Sequence, residues 1–361
     1  METLGAVYLG CVYVAVRMTA TPDLLDRFGA WFGYSAAIAA ALGIGGAIVS
    51  WMDSPTRLAT VVLTPIPYLG HAPRAQAFTA GPQMLASILL MAVPLFVGSR
   101  MGRSWRPRDV VCVGLLVLGL IATVSKTALC LAAALTVMWA VGQRTGNSVP
   151  SGRSRIRPWT AALVSLGAAL IMTIGSHVMV MPRAAVANMI AVQLVAGRPA
   201  ASFQWNQDPW VVMPTTYTHN NRASLRAIVH SWPIGVGPAG QPAFATALQR
   251  EGRYPWSITL TTPHSTYLGT VAQLGAAGLV ALVLLLTAAG LTIRRLLAGP
   301  PRFRWEAAAY AGVSIGFLIE AISTDLLNCR HYWILLAVMT ARMQAISTES
   351  EGRMGIRMMP D

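Results

Sequence analysis

The sequence predicts an all-α polytopic membrane protein with about ten transmembrane helices and one large extracytoplasmic loop. Of its 361 residues, 55% are hydrophobic and 11% are charged, whereas about 25% of the residues of a soluble protein are charged. Apolar runs of the roughly 17–25 residues that a bilayer requires recur along the chain. Lys and Arg (27) outnumber Asp and Glu (13), and most of the basic residues lie in short connections between those runs, as membrane orientation predicts.

The apolar runs set the predicted number of spans. A hydrocarbon core of about 30 Å takes about 20 residues of helix. The candidate spans are approximately 4–20, 28–50, 56–71, 82–98, 109–124, 126–142, 159–181, 264–292, 305–323 and 328–345. The first is short, and the third contains Pro65 and Pro67, which disfavour a helix interior.

The placement of the arginines favours this count, with both chain ends in the cytoplasm. With an inside N-terminus, the dense basic cluster from Arg100 to Arg108 falls on the cytoplasmic side, as the positive-inside tendency requires. Without the third span, that cluster would lie outside. The short outside connections then hold few basic residues, namely Arg27, Arg74, Lys126 and Arg330.

The same runs divide the chain into five segments. The N-terminal transmembrane helices occupy 1–108, and the central ones occupy 109–182. Segment 183–263 is the large extracytoplasmic loop, whose tryptophans suit the level of the lipid headgroups. The C-terminal transmembrane helices occupy 264–346, and 347–361 is a cytoplasmic tail expected to lack order.

Several other classes of function are disfavoured. The basic balance does not indicate nucleic-acid binding, because the arginines follow the pattern of membrane orientation. The four cysteines are far apart and have neither metal-ligand spacing nor a disulfide framework. The acids of the large loop, chiefly Asp208 and Glu251, include no pair that would hold a metal ion. We therefore expect neither a metal nor a cofactor.

A basic row lies within the large loop. If 222–232 is helical, Arg222, Arg226 and His230 line up on one face at a spacing of four. An apolar stripe then lies beside the row, formed by Leu225, Ile228, Val229 and Trp232. An anion between the arginines would relieve their repulsion, and the planar guanidinium suits phosphate oxygens. An amphipathic helix that sets its arginines against lipid headgroups explains the pattern equally well.

A glycine-rich turn follows the basic row. Pro233 ends the helix, and Gly235-Val236-Gly237-Pro238-Ala239-Gly240 then predicts a tight turn. These letters match a dinucleotide-binding motif, but that motif requires a preceding strand, so we reject a Rossmann fold. Farther along, Gly275-Ala276-Ala277-Gly278 predicts the close approach of another helix.

Pro263 and His264 open the eighth apolar run, with Thr261 or Thr262 as the expected N-cap. The positive end of a helix dipole disfavours an imidazolium, so His264 is expected to be neutral. A neutral imidazole there would accept a proton from a hydroxyl beside a bound phosphate. The alternative is a histidine that only anchors the helix at the membrane interface.

Two further groups of charged residues are functional candidates. Lys126 lies at the outer end of the sixth run, where a cation is costly and therefore suggestive of function; snorkelling towards the headgroups is the alternative. Near the outer ends of the last two runs lie Glu320, Asp325, Arg330 and His331. We expect these four to pair with one another, with binding of an acceptor as the alternative.

Three motifs, in order, resemble those of the O-antigen ligase and O-antigen polymerase superfamily, which includes bacterial protein O-oligosaccharyltransferases. Ser125-Lys126-Thr127, which opens an apolar helix, is similar to the family's Ser-Arg motif. Pro233-Ile234-Gly235-Val236-Gly237-Pro238 is similar to its Pro-Leu-Leu-Gly-Val-Gly-Pro-Gly signature. Pro263-His264-Ser265-Thr266-Tyr267-Leu268, with the later Gln273-Leu274-Gly275-Ala276-Ala277-Gly278-Leu279, resembles its His-Asn-x-Tyr-Leu…Leu-Gly-x-x-Gly-Leu signature. The resemblance covers about Val110 to Ala345.

The resemblance implies a metal-independent, inverting glycosyltransferase of cell-surface polysaccharide assembly. Such an enzyme moves a glycan from a polyprenyl-diphosphate carrier to a hydroxyl of a glycan, lipid or protein acceptor at the outer face of the cytoplasmic membrane. It also implies that Lys126 and one of Arg222 or Arg226 hold the diphosphate, while His264 activates the acceptor hydroxyl. Further candidates for acceptor binding or support are His230, Tyr267, Glu320 and Asp325.

Two other functions stay open on the sequence. One is a transporter or flippase for the same lipid-linked glycans, which would require ionisable residues in many spans or paired broken helices. The other is an inactive scaffold of a polysaccharide assembly complex. Lys126 stands where the family has an arginine and loses two-bond phosphate contact, which keeps the scaffold alternative open.

Overall fold

The computed structural model describes residues 2–52, 56–61, 73–144, 158–175, 177–182, 210–253 and 264–357. The chain divides into two compact units. Unit 1 comprises Met1–Ala6, Ile171–Leu286 and Ala321–Leu326. Unit 2 comprises Val7–Leu170, Thr287–Glu320 and Leu327–Asp361.

Most of the described residues are helical, as the sequence predicts. The helices before the large loop are α1 (Glu2–Thr19), α2 (Pro22–Trp51), α3 (Pro82–Arg100), α4 (Pro107–Ala122), α5 (Thr127–Arg144) and α6 (Pro158–Gly175). The later helices are α7 (Thr216–Ser231), α8 (Gly240–Arg250), α9 (Thr266–Leu297), α10 (Arg304–Glu320) and α11 (Arg330–Arg357). A 3₁₀ turn, Pro301–Phe303, precedes α10.

Two short antiparallel ribbons correct the all-α prediction. β1 (Ala59–Val61) pairs with β2 (Pro73–Ala75), and β3 (Val178–Pro182) pairs with β4 (Trp210–Pro214). The third predicted span, 56–71, is therefore not helical at 59–61, and its remainder from 62 onward lies outside the described residues. The seventh predicted span also stops early, because α6 ends at Gly175 and a strand follows.

The predicted count of ten spans is not supported. Within the described ranges, three helices are long and apolar enough to cross a membrane: α2, α3 and α9. Shorter apolar segments occur in α1, α5 and α6. The helix α4 has 16 residues and α10 has 17, fewer than the about 20 that a hydrocarbon core takes. The sequence marked these runs correctly as apolar but counted short runs as full membrane crossings.

Helix α3 forms the centre of unit 2. Four helices of that unit pack against it: α2, α4, α5 and α10. Leu85, Leu89, Met91 and Phe96 of α3 are fully buried. A helix that is apolar on all sides is buried rather than amphipathic, and α3 follows that rule.

Buried charges join three helices of unit 2. Arg342 of α11 forms ion pairs with Asp26 of α2 at 2.7 Å and with Glu306 of α10 at 2.8 Å. Tyr310 donates a hydrogen bond to Glu306 at 2.9 Å. The Arg342 side chain is only 3% exposed, so these partners offset the large cost of taking its charge out of water.

The C-terminal tail is helical, which corrects the prediction that 347–361 lacks order. Helix α11 continues to Arg357, so most of the predicted tail extends the last helix. Arg302 forms an ion pair with Glu349, which holds the start of this extension against the 3₁₀ turn. The sequence argument considered only local polarity and not this long-range pair.

Candidate functional site

Helix α9 is not the continuous helix that the sequence predicts. At Gly275 the backbone has φ 60° and ψ −136°, outside the helical region. Residues with a side chain rarely adopt such a conformation, whereas glycine accommodates it. The helix is therefore broken in its first third, within unit 1.

The glycine-rich turn after α7 packs into this break. Three backbone hydrogen bonds of 2.8–2.9 Å join the two segments: Val236 N to Ala272 O, Gly237 N to Gln273 O and Ala276 N to Pro233 O. A Cβ atom on Gly235 or on Gly275 would collide with the backbone of the other segment. The small residues of α9 thus admit a close neighbour, as predicted, but that neighbour is the turn and not another helix.

The sequence predicts His264 in the first turn of α9, but the residue lies just before this helix. The Ser265 hydroxyl accepts a long hydrogen bond from Leu268 N at 3.4 Å, and the Ser265 carbonyl accepts one from Gly269 N at 2.9 Å, so Ser265 is the N-cap. The predicted cap at 261 or 262 lies outside the described residues. His264 has φ 48°, a left-handed conformation that costs a non-glycine residue about 1–2 kcal/mol. Strained residues of this kind cluster at functional sites.

Three aromatic rings meet beside the start of α9. The ring of Tyr217, in the first turn of α7, lies 5.4 Å from the half-buried His264 ring in an edge-to-face arrangement. The same tyrosine ring lies 6.1 Å from the ring of His177, which follows α6. Edge-to-face contacts at these distances are favourable and directional, so Tyr217 constrains the orientation of His264.

Polar contacts on both ring nitrogens fix the position of His177. Its Nδ1 lies 3.1 Å from the carbonyl oxygen of Thr173. Its Nε2 lies 2.7 Å from the side-chain amide of Asn221. His177 therefore fixes the first two turns of α7 against the end of α6.

Thr266 ties the start of α9 to the loop 321–326. Its hydroxyl donates to Thr324 O at 2.8 Å and accepts from Leu326 N at 2.9 Å. Asp325 lies between these two partners and is half-buried. The loop therefore holds Asp325 at the start of α9.

Removing the two hydrogen bonds of the Thr266 hydroxyl, the Thr266 clamp, is expected to destabilise the site. Thr266→Val keeps the shape of the side chain but leaves Leu326 N and Thr324 O without the hydroxyl, which costs about 1–3 kcal/mol. Thermal unfolding of the purified protein in detergent measures the loss. Thr292→Val is the matched control, because the Thr292 hydroxyl donates to Ala288 O of its own helix. An equal loss of stability in both variants would contradict the clamp.

The basic row of α7 faces away from the aromatic rings. Arg222, Arg226 and His230 are all exposed. At about 100° per residue, Arg226 lies about 180° around the helix from Tyr217, and Arg222 lies about 140° from it. Arg226 also donates a hydrogen bond to Arg253 O at 3.0 Å, while the ring of His230 lies against another aromatic ring, that of Phe244.

The buried face of α7 is not the predicted apolar stripe. The buried residues are Asn220, Ala223, Ser224 and Ala227. Leu225, Val229 and Trp232 are 49%, 83% and 52% exposed. Small and polar residues face inward because Gln241 of α8 donates to the Ser224 hydroxyl at 2.5 Å. Exposed apolar residues beside exposed arginines are typical of an interfacial helix, so that alternative for the basic row stays open.

Arg222 affects the pKa of His219, a histidine of its own helix. Burial, and then the charge of Arg222, lower the pKa of His219 below its usual value. His219 is therefore neutral at pH 7. The positive charge of this face of α7 comes from its arginines.

Two of the predicted site residues, Lys126 and Glu320, belong to unit 2. Glu320 is 1% exposed and accepts hydrogen bonds from Ser87 at 2.6 Å and from Thr127 at 2.9 Å. Lys126 is half-buried and interacts electrostatically with Glu320. The structure thus brings the predicted lysine and glutamate together through the start of α5.

The expected pairing of Glu320, Asp325, Arg330 and His331 with one another stays a prediction. The guanidinium of Arg330 lies 5.2 Å from the ring centre of Tyr8, and the ring of His331 lies 5.6 Å from that of Phe317. Hydroxyl groups of neighbouring helices, which sequence proximity does not reveal, donate to Oε1 of Glu320.

The remaining predicted residues belong to unit 1: Arg222, Arg226, His230, His264, Tyr267 and Asp325. Tyr267 lies half-buried in the first turn of α9. The sequence did not identify His177, Tyr217 or Asn221. Tyr217 and Asn221 are four residues apart, which places them on one face of a helix, and this spacing was the one available signal. His177 lies at the end of an apolar run, where the sequence gives no indication of a site.

Comparisons with known proteins leave the assignment to the residues themselves. No protein-family model matches the sequence, and no curated protein matches it. The geometry around His264 and the sequence motifs are therefore the basis for the chemistry of the site.

Proposed function

We propose that this protein is a membrane glycosyltransferase that moves a glycan from a polyprenyl-diphosphate carrier to an acceptor hydroxyl. The main support is the contact of Tyr217 with His264, which has a strained backbone conformation beside the start of a long apolar helix. His177 contacts Tyr217 from the end of α6, and the loop 321–326 binds the neighbouring Thr266. A histidine with a strained backbone at the end of an apolar helix suits chemistry at a membrane surface.

In the proposed reaction, His264 takes the proton of the acceptor hydroxyl. The hydroxyl oxygen forms a bond to the anomeric carbon of the donor glycan. The bond between that carbon and the diphosphate oxygen breaks, and the diphosphate leaves with the electron pair. Attack from the opposite face inverts the anomeric centre. Tyr217 positions the His264 ring, and His177 with Asn221 holds Tyr217 in place.

The geometry of α7 favours Arg222 over Arg226 as the ligand of the diphosphate. Arg226 lies on the side of α7 opposite Tyr217 and is engaged with Arg253 O. Arg222 lies about 140° around the helix from Tyr217, a smaller angle than that of Arg226. A guanidinium beside the leaving diphosphate stabilises the developing negative charge. Lys126 belongs to unit 2, and its diphosphate-binding role rests on the family resemblance alone.

The donor and the acceptor place the reaction at a membrane. We assign α2, α3 and α9 to the cytoplasmic membrane. The end of α9 that carries Arg294 and Arg295 belongs on the cytoplasmic side, so His264 at the other end of this helix belongs at the outer face. Membrane lipids and a lipid-linked glycan are then the expected partners. The acceptor is a hydroxyl of a glycan, a lipid or a protein.

Comparing Arg222→Gln with Arg226→Gln tests this assignment. Hydrogen bonds to charged groups contribute about 1.5–3 kcal/mol, so Arg222→Gln is expected to weaken donor binding by about tenfold or more. Arg226→Gln is expected to leave donor affinity within about twofold, because its loss amounts to that of an exposed charge. Titration of polyprenyl diphosphate into the purified protein measures both.

A second measurement checks that Arg222→Gln acts locally. Removing the Arg222 charge is expected to raise the pKa of His219, since that charge lowers it in the parent protein. A pH titration followed by NMR of the histidine ring measures this change. Equal donor affinity in the two arginine variants, with the His219 pKa raised only in Arg222→Gln, would contradict the role of Arg222.

A transporter or flippase for lipid-linked glycans is the second candidate, because α9 is broken at Gly275. Broken membrane helices line the substrate sites of many transporters, where they occur in pairs. Here the turn from Pro233 to Gly240 fills the break with backbone hydrogen bonds, which favours a structural role. An inactive scaffold is the third candidate, and a transfer assay separates it from the enzyme.

A further inference from the structure

Unit 2 contains a cavity of about 580 Å³ between α2 and the connection from α3 to α4. We propose that this arginine cavity binds the phosphate headgroup of an anionic phospholipid. Four arginines line it, and Asp26 is the one carboxylate among its lining residues. The arginines are Arg27, Arg100, Arg103 and Arg108. Such an excess of positive charge in a concave site selects anions.

The acidic group of the arginine cavity is already neutralised. Asp26 forms its ion pair with Arg342 at 2.7 Å. Arg103 and Arg108 are exposed, and neither forms an ion pair within the part of the chain that the structure describes. These two guanidinium groups are therefore available to phosphate oxygens, which they can bind through paired hydrogen bonds.

Arg100 provides a fixed part of the cavity wall. It donates to the Tyr34 hydroxyl at 2.9 Å and lies 3.5 Å from Asp109, while Tyr34 donates to Asp109 at 2.6 Å. Arg100 therefore keeps its position without a ligand and adds positive charge to the cavity wall.

An apolar stripe on α2 indicates that the phosphate belongs to a lipid. Trp31 lines the arginine cavity and is 66% exposed. On the same face of α2 follow Ile38, Leu42 and Val49, which are 65%, 38% and 42% exposed. The stripe is about 27 Å long at 1.5 Å per residue, close to the about 30 Å of a hydrocarbon core. A phospholipid can place its headgroup among the arginines and its acyl chains along this stripe.

The position of the arginine cavity agrees with the distribution of lipid charge. Arg100, Arg103 and Arg108 lie in or beside the connection between α3 and α4, which the positive-inside tendency assigns to the cytoplasmic side. With α2 and α3 as the two crossings before it, this connection stays on that side without the third predicted span. Arg27, which the sequence predicts to lie outside, lines the same cavity, so that prediction is corrected. Anionic lipids give the cytoplasmic membrane surface a negative potential, and basic pockets beside membrane helices bind their headgroups. The site does not depend on the proposed glycan transfer.

Binding of spin-labelled phosphatidylglycerol tests the proposal. The full chain is placed in phosphatidylcholine nanodiscs, and electron paramagnetic resonance measures the immobilised fraction of the probe. The double variant Arg103→Gln, Arg108→Gln is expected to weaken association by about 30-fold, from the contribution of each arginine near an anionic surface. The matched control is Arg294→Gln, Arg295→Gln, which removes the same charge from exposed positions at the end of α9.

Two further arms distinguish a lipid from a free phosphate. Trp31→Ala is expected to weaken binding of the probe, whereas Trp51→Ala, at the other end of α2 and 73% exposed, leaves it unchanged. Millimolar inorganic phosphate is expected not to displace the probe. Equal loss in the two arginine double variants would overturn the site, and displacement by inorganic phosphate would overturn its assignment to a lipid. Thermal unfolding confirms that each variant is folded before binding is compared.

Discussion

Replacing His264 by alanine or asparagine is expected to reduce glycan transfer by a factor of about 10²–10⁴, the usual contribution of a general base. Binding of the lipid-diphosphate donor is expected to stay within about twofold, because the proposed diphosphate contact comes from Arg222. Asparagine preserves a hydrogen-bonding side chain but cannot take up a proton. Transfer of a labelled glycan by the purified protein, measured beside equilibrium binding of the donor, checks both expectations.

The control for this experiment is Leu282→Ala. Leu282 is a buried residue of α9, and its truncation is expected to cost about 2–5 kcal/mol of stability. The folded fraction of that variant is expected to transfer glycan at the parent rate. Full transfer by His264→Ala would contradict the role of His264 as general base, whereas no transfer by the parent protein would favour the transporter or the scaffold.

Gly275→Ala is expected to lower the free energy of unfolding by about 2–6 kcal/mol. A side chain at φ 60° and ψ −136° costs about 1–3 kcal/mol in backbone strain. The new methyl group also collides with the Pro233 carbonyl, and overpacking costs about 1–3 kcal/mol more. Thermal unfolding in detergent measures the change.

Gly290→Ala is the matched control, since Gly290 lies in the same helix and a Cβ there meets nothing within 4 Å. Alanine in place of glycine inside a helix is favourable by up to about 1 kcal/mol, so this variant is expected to be as stable as the parent or slightly more so. Equal free energies of unfolding for Gly275→Ala and Gly290→Ala would show that the break in α9 does not support the contact with the turn.

The sequence predicted where the helices lie better than it predicted which of them could cross a membrane. Each apolar run that lies within the described ranges contains a helix, because periodicity and apolar content are local properties. The run 159–181 was interpreted as one span, yet its end belongs to the strand Val178–Pro182, which pairs with Trp210–Pro214. A pairing partner about thirty residues away is not visible in local hydropathy, so the prediction failed there.

The candidate site shows the same limit. The motif around His264 marked the correct region, but the cap moved to Ser265, because Ser265 competes for the same helix start. The buried face of α7 was assigned to large apolar residues, whereas the contact with Gln241 places Ser224 inside. His177 and Tyr217 join the site only through folding. A single chain gives no signal that pairs such distant positions.

The most direct test of the account is a structure of the protein with a polyprenyl-diphosphate glycan bound. The account predicts the diphosphate within hydrogen-bond distance, about 3 Å, of the Arg222 guanidinium, and the acceptor side of the anomeric carbon facing the His264 imidazole. A donor whose diphosphate binds the opposite face of α7, beside Arg226 and Arg253, with its sugar out of reach of His264, would contradict it.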